Sequence, residues 1–399
     1  VKEADVNVMH ENSGKRFSLI TAIFFWCGLV IVSGVYITIP LISVFTGAFN
    51  VSISQAAWAG SAFSFCYALG FLLFGPLSDR YGRKQIIIFG LIVLTIVTPL
   101  VGLATNLSWL IALRAIQGLV AATFAPAAIS YVVETFPAEK RITTTAYIST
   151  SFLVSGIVGQ VLSSLISQYW GWSYVFYLLG AVYLITTILV MNYVPVGKAN
   201  STHGSVLDSF KQFRKVFTQK PLLLSYIIAI TLFFAFVGMY TTLGSYLSES
   251  FGLDSQGILY VRCVGILGML VSPFSGQLVA KFGLNAIIRV GLALAVVGLA
   301  VMGVSSNLAF LVVMSIVFVA GISITVSNII SLIGQLGGAA RGAAISMSSF
   351  ILFLGATLGP IVATSILKGS SYLLAFEMLA LVLGIGLIAS FFIKNREPV

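Results

Sequence analysis

Gly75-Pro76-Leu77-Ser78-Asp79-Arg80-Tyr81-Gly82-Arg83-Lys84 lies between two apolar runs, 56–74 and 85–104, each long enough to cross a bilayer. One acid, three bases and two glycines are packed into a turn too short to be a domain. Short loops rich in Lys and Arg stay on the cytoplasmic side of a membrane. The stretch therefore reads as the inner connection between two membrane helices.

Composition widens that reading to the whole chain. Of 399 residues only 8% are charged and 59% are hydrophobic, and the mean hydropathy is +1.07. A water-soluble chain of this length has no way to hide so much apolar surface, so lipid is its solvent. The net charge of +10 is no sign of nucleic acid, because the bases form no stripe and fall in short loops between spans. Cys27, Cys66 and Cys263 all sit in apolar runs without metal-site spacing and read as packing residues. His10 and His203 fall in the tail and the central loop. With no nucleophile–base pair, no phosphate-cradling loop and no metal set, neither an enzyme nor a cofactor is expected. The first apolar run, 17–39, ends at Ile39-Pro40 without a small-residue cleavage site, so no cleavable signal peptide is expected.

Apolar runs of span length recur twelve times, at 17–39, 56–74, 85–104, 109–133, 144–166, 173–193, 222–245, 257–279, 286–305, 309–334, 343–367 and 372–393. They predict an all-α integral membrane fold of twelve transmembrane helices, numbered spans 1 to 12 below. With both termini in the cytoplasm, every Lys and Arg falls on the cytoplasmic side except Lys368 outside and Arg114 and Arg262 within spans. The halves repeat at an offset of 201: Asn106-Leu107 with Asn307-Leu308, Ser54-Gln55 with Ser255-Gln256, and Tyr81-Gly82 with Phe282-Gly283. Two six-helix bundles are expected, 1–193 and 222–399, joined by a cytoplasmic linker at 194–221. In the linker Val206, Phe210, Phe213 and Phe217 recur at helical steps opposite basic residues. They suggest either an amphipathic helix on the inner leaflet or a solvated connection.

In order, spacing and membrane setting, the loop 75–84 closely resembles the signature loop between helices 2 and 3 of the major facilitator superfamily of secondary transporters. Parallel repeats of six helices fit that family, whose substrate site lies near the midplane between the halves. The resemblance implies a conformational latch of Gly75, Asp79, Arg80, Gly82 and Arg83 in this loop, with Glu134 and Arg141 in the loop after span 4. Plain orientation of the helices is the alternative reading. Arg114-Ala115-Ile116-Gln117-Gly118 matches the Arg-x-x-Gln-Gly pattern of drug/proton antiporter branches, in which the arginine is thought to help couple proton movement. Its alternative is a structural arginine held by backbone carbonyls and Gln117.

Two more charges lie inside spans. Arg262 in span 8 either faces the path or snorkels to the outer interface, and Glu377 in span 12 either carries a proton or reaches that interface. Span 1 contains no acid, and span 5 reads Ser155-Gly156-Ile157-Val158-Gly159-Gln160, an eroded form of the antiporter glycine motif. Glycines in spans 5 and 11 are expected to let those spans pack closely across the halves. The family's path is lined by spans 1, 4, 7 and 10, which offers Phe25, Trp26, Tyr36, Phe124, Phe233, Phe234, Phe236, Tyr240 and Phe318 as cavity aromatics, with Gln117, Thr241, Ser323 and Asn328 as polar cavity residues. Proton-coupled efflux of small amphipathic compounds or drugs is the leading expectation. Transport of an organic anion or a neutral metabolite such as a sugar or siderophore stays open, as does a transporter-fold sensor. The expected partners are a small-molecule substrate, protons and membrane lipids. The chain is expected as a monomer in the bacterial inner membrane.

Overall fold

The computed structural model describes residues 2–196, 218–368 and 371–393. The linker stretch with Val206, Phe210, Phe213 and Phe217 lies outside the described residues, as do His203 and the side chain of His10. Among the described residues every regular element is helical. Span 1 is the helix Lys2–Tyr36, apolar from Arg16 onward. A short helix, Ile42–Phe49, leads into span 2 at Ile53–Tyr81 and span 3 at Arg83–Gly102. Span 4 is Leu107–Ala121 followed by Phe124–Thr135, and spans 5 and 6 are Ala138–Trp170 and Trp172–Tyr193. Spans 7, 9, 10, 11 and 12 are Lys220–Phe251, Leu284–Val304, Leu308–Leu336, Arg341–Leu367 and Tyr372–Phe391.

Among the described residues eleven helices are long and apolar enough to cross a membrane. The exception is span 8, expected as one run over 257–279. It is broken into Ser255–Val264, Ile266–Met269, a 3-10 turn at Ser272–Phe274, and Ser275–Phe282. Pro273 has no N–H to give the carbonyl of Met269 four residues back. The Ser323 hydroxyl of span 10 donates to that carbonyl at 3.5 Å, and Ser272 pairs with Ser327 of span 10 at 2.9 Å. Pro126 accounts for the break in span 4 in the same way, because its partner carbonyl would be Ala122.

The internal repeat reappears as geometry. The Asn106 carboxamide accepts from the Trp109 N–H at 2.9 Å, and Asn307 accepts from the Phe310 N–H at 3.1 Å, each capping a helix start. Gly82 at φ +96° joins span 2 to span 3, and Gly283 at φ +83° joins span 8 to span 9. Only glycine takes such dihedrals freely, which is why both loops keep one at the same place.

Small residues set the packing, since apolar helices in lipid gain nothing by merely being apolar. A Cβ on Gly118 of span 4 would collide with the Phe63 carbonyl of span 2. The closest approaches at the glycines of spans 5 and 11 are within each bundle, and Gly156 comes to ordinary contact across the halves, at Met269 of span 8. Gly159 lies on Ser33 of span 1, and Gly355 and Gly359 lie on Ile230 and Phe234 of span 7. The bundles instead meet through spans 2 and 11, where Tyr67 and Phe353 stand edge to face at 4.5 Å, and through spans 5 and 8. Ile96, Leu184, Ile185, Leu381 and Ile388 point outward, where lipid is their solvent.

Candidate functional site: a central cavity between the bundles

Between the bundles lies a cavity of about 260 Å³. Its aromatic wall comes from both bundles: Tyr36, Tyr67, Phe71 and Phe152 on one side, Phe233, Phe236 and Phe353 on the other. The polar surface is lopsided. Ser323, Ser327, Ser346, Ser348 and Ser349 line the cavity from spans 10 and 11, against Ser149 and the two tyrosines from the first bundle. No charged side chain is among the lining residues.

One end of the cavity is closed. The rings of Tyr36 and Phe236 meet edge to face at 6.2 Å, and the Ser61 hydroxyl of span 2 donates to the Thr357 carbonyl of span 11 at 2.9 Å. Toward the basic loops the lining continues to Ile129, Ile330, Ile345 and Ser346, within two turns of where span 11 begins. The breaks in spans 4 and 8 both border the cavity, at Ala125-Pro126 and at Met269.

Of the residues singled out from sequence, Tyr36, Phe233, Phe236 and Ser323 line this cavity. Tyr240 stands behind the wall, its ring 5.2 Å from that of Phe236. Asn328 is buried and turned back on its own helix, donating to the Ile324 carbonyl at 2.8 Å. Phe234 is half-buried where span 11 crosses span 7. Trp26 is exposed and donates from its indole to Thr186 of span 6 at 3.0 Å, while Phe25 lines a groove between spans 1 and 5. Glu377 is half-buried against Gly303 of span 9, away from the cavity.

The two arginines inside spans differ sharply. Arg114 is fully buried in the first bundle. Its guanidinium donates to the Gly34 carbonyl of span 1 at 2.7 Å, to the Ala59 carbonyl of span 2 at 3.2 Å and to the Gln117 carboxamide at 3.0 Å. It also lies over the Phe63 ring at 4.2 Å. Gln117 in turn donates to Thr98 of span 3 at 2.8 Å. The Arg-x-x-Gln-Gly pattern thus ties four helices together: Arg and Gln share a helix face, and Gly118 lets span 2 come close. Arg262 is also buried, beside Gly244 of span 7, yet its Nε has no hydrogen-bond partner. Among the described residues no carboxylate pairs with it.

The loop cluster is held by helix-end chemistry. Arg83 forms an ion pair with Glu134 at 2.8 Å and donates to the Ser78 hydroxyl at 2.6 Å. Arg141 donates to the Phe136 carbonyl at 2.7 Å and Lys84 to the Met191 carbonyl at 2.8 Å, each satisfying the end of a helix. Arg80 is exposed over its neighbour Tyr81. These contacts stay within the first bundle; Gly75 is the residue that faces the second, opposite Ser346. The side chain of Asp79 lies outside the described residues.

Sequence reasoning missed the contributions of spans 2, 5, 8 and 11, because the family rule directs attention to spans 1, 4, 7 and 10. A signal was present: Ser346, Ser348 and Ser349 put three hydroxyls within four residues of an otherwise apolar helix.

Known proteins agree with this architecture. The family model of the Major Facilitator Superfamily matches residues 24–340. An uncharacterized transporter of Buchnera aphidicola subsp. Schizaphis graminum is 27% identical over 362 residues, covering 88% of this chain and 86% of its own. A Lactococcus lactis protein named multi-drug resistance efflux pump PmrA homolog is 26% identical over 278 residues, 67% of this chain and 68% of its own. The solved structure of a D-xylose-proton symporter superposes with a TM-score of 0.80 at 14% identity, over 96% of this chain and 98% of that one, a likeness of fold. Twelve spans in two repeated bundles, a cavity between them and a family match over most of the length give one conclusion: the chain belongs to the Major Facilitator Superfamily and is a membrane transporter rather than an enzyme.

Proposed function

We propose that this transporter exports a small, uncharged amphipathic organic compound in exchange for protons, by rocking its two bundles about the central cavity. The lining of the cavity carries this reading: aromatic rings on both sides, serine hydroxyls concentrated on one side, and no formal charge. Rings accept a flat apolar body, while hydroxyls orient one or two polar groups without demanding a counter-ion. A charged substrate would leave water for a wall with nothing to neutralise it. The similarity to a relative named as a multi-drug efflux pump supports export of drug-like molecules. Proton coupling rests on the Arg114-x-x-Gln117-Gly118 pattern. With the basic loops in the cytoplasm, the described state is inward-open, and the breaks in spans 4 and 8 are its hinges.

The test is transport in sealed proteoliposomes under an imposed pH gradient, using chloramphenicol as the neutral probe, ethidium as the cation and taurocholate as the anion. The expected result is chloramphenicol movement that stops when a protonophore collapses the gradient. Movement of ethidium or taurocholate alone, or chloramphenicol movement indifferent to the gradient, overturns it. Arg262 supports a second reading, transport of an organic anion, because its buried guanidinium, beside Gly244 of span 7, has an unfilled donor. Taurocholate uptake lost in Arg262→Met is the result that would favour this second reading.

A further inference from the structure

Outside the central cavity, a groove of about 610 Å³ runs between spans 1 and 5 at the basic end of the protein. Its mouth is polar, with Ser18, Thr143 and the exposed Lys140. Lys140 is held over the ring of Phe17, its Nζ 5.4 Å from the centroid, and among the described residues no carboxylate pairs with it. Deeper in, the walls turn apolar with Ala22, Phe25 and Tyr147. The floor is fastened by the Thr21 and Thr144 hydroxyls, 3.1 Å apart. From Phe17 to Phe25 the groove follows span 1 for about 12 Å at the helical rise of about 1.5 Å per residue.

We propose that this groove is a binding site for one anionic phospholipid of the leaflet at the basic end. Its phosphate lies at Lys140 with the hydroxyls of Ser18 and Thr143, and an acyl chain lies along Ala22, Phe25 and Tyr147. A lysine beside hydroxyls at the mouth and an apolar trough behind them repeat, in order, the chemistry of a phospholipid from headgroup to tail. Basic residues at a membrane surface attract anionic lipid, and a lipid seated here fills the seam between spans 1 and 5. Span 5 also carries Ser149 and Phe152 into the cavity, so the bound lipid braces a wall of the transport site.

The experiment is native mass spectrometry of the full chain in detergent, with dioleoyl phosphatidylglycerol, dioleoyl phosphatidylcholine, and soluble sn-glycerol 3-phosphate as competitor. One phosphatidylglycerol should be retained in preference to phosphatidylcholine. Lys140→Ala should weaken its retention about fivefold, the effect of one basic residue at a membrane surface. Lys281→Ala, which removes an exposed cation over Phe282 outside this groove, should leave retention unchanged. Ala22→Trp, which fills the trough and alters no charge, should also weaken it, and decides the matter if Lys140→Ala does not fold. Equal retention of both lipids, equal losses in Lys140→Ala and Lys281→Ala, or full retention in Ala22→Trp overturns the proposal. Displacement by glycerol phosphate as effective as by lipid overturns it too, because the site would then hold a soluble phosphate.

Discussion

Arg114 in span 4 and Arg262 in span 8 occupy different places of the repeat, each buried inside a span, and they are treated in opposite ways. Arg114 has a carbonyl from each of two neighbouring helices, a carboxamide from its own helix and an aromatic face beneath it. Arg262 has an Nε with nothing to donate to. A guanidinium is planar and presents its donors as a rigid fork, so the surroundings either match several of them or waste them. In lipid no water makes up the difference. Arg114 therefore fastens the first bundle in this conformation, beside the coupling role proposed for its pattern. Arg262 is a charge whose burial is poorly compensated in this conformation.

That contrast can be broken or sharpened by substitution. The largest effect is expected for Arg114→Met, which removes three hydrogen bonds and leaves two carbonyls and the Gln117 carboxamide without their donor. At about 0.6–2 kcal/mol per interhelical bond in a membrane, stability should fall by roughly 3 kcal/mol, read as a drop in thermal midpoint in detergent. Arg114→Lys should recover little of it, since an ammonium cannot reproduce the fork. A smaller loss, about 1–3 kcal/mol, is expected for Gly118→Ala, whose methyl group must push span 4 away from the Phe63 carbonyl. Arg262→Met should change stability by about 1 kcal/mol or less and in the stabilising direction, because an apolar side chain of similar length removes an uncompensated charge. Equal losses for Arg114→Met and Arg262→Met would erase the contrast. The smallest effect belongs to the surface pair: Glu134→Gln should cost at most about 1 kcal/mol, less at high salt, because Arg83 and Glu134 sit near water.

Much of the fold is legible in the chain because its signals are long or sharply local. Runs of apolar residues name the spans, and Asn106 with Asn307 and Gly82 with Gly283 mark the same points of the two bundles. Span 8 was readable as a run and not as a broken helix, although Pro273 and Gly265 were in view; what the break does depends on Ser323 and Ser327, which are distant in sequence. The cavity was hardest to read. An aromatic facing another bundle and one facing lipid are spelled alike, so Phe25 and Trp26 were indistinguishable from Phe233 and Phe236. Charge was a poor guide as well. Arg114 drew attention as an expensive residue, yet its expense is met inside the first bundle, while the cavity is built from cheap serines.

The most direct measurement is thermal stabilisation of the purified protein by the neutral, cationic and anionic probes, in wild type and in Ser349→Val. A ligand that binds the folded state raises its stability in proportion to the logarithm of its concentration over its dissociation constant. Stabilisation by chloramphenicol, absent for ethidium and taurocholate and reduced in Ser349→Val, is expected of an uncharged cavity with its hydroxyls on one wall. Stabilisation by taurocholate, unchanged in Ser349→Val and lost in Arg262→Met, would contradict it and move the binding site to the unpaired arginine.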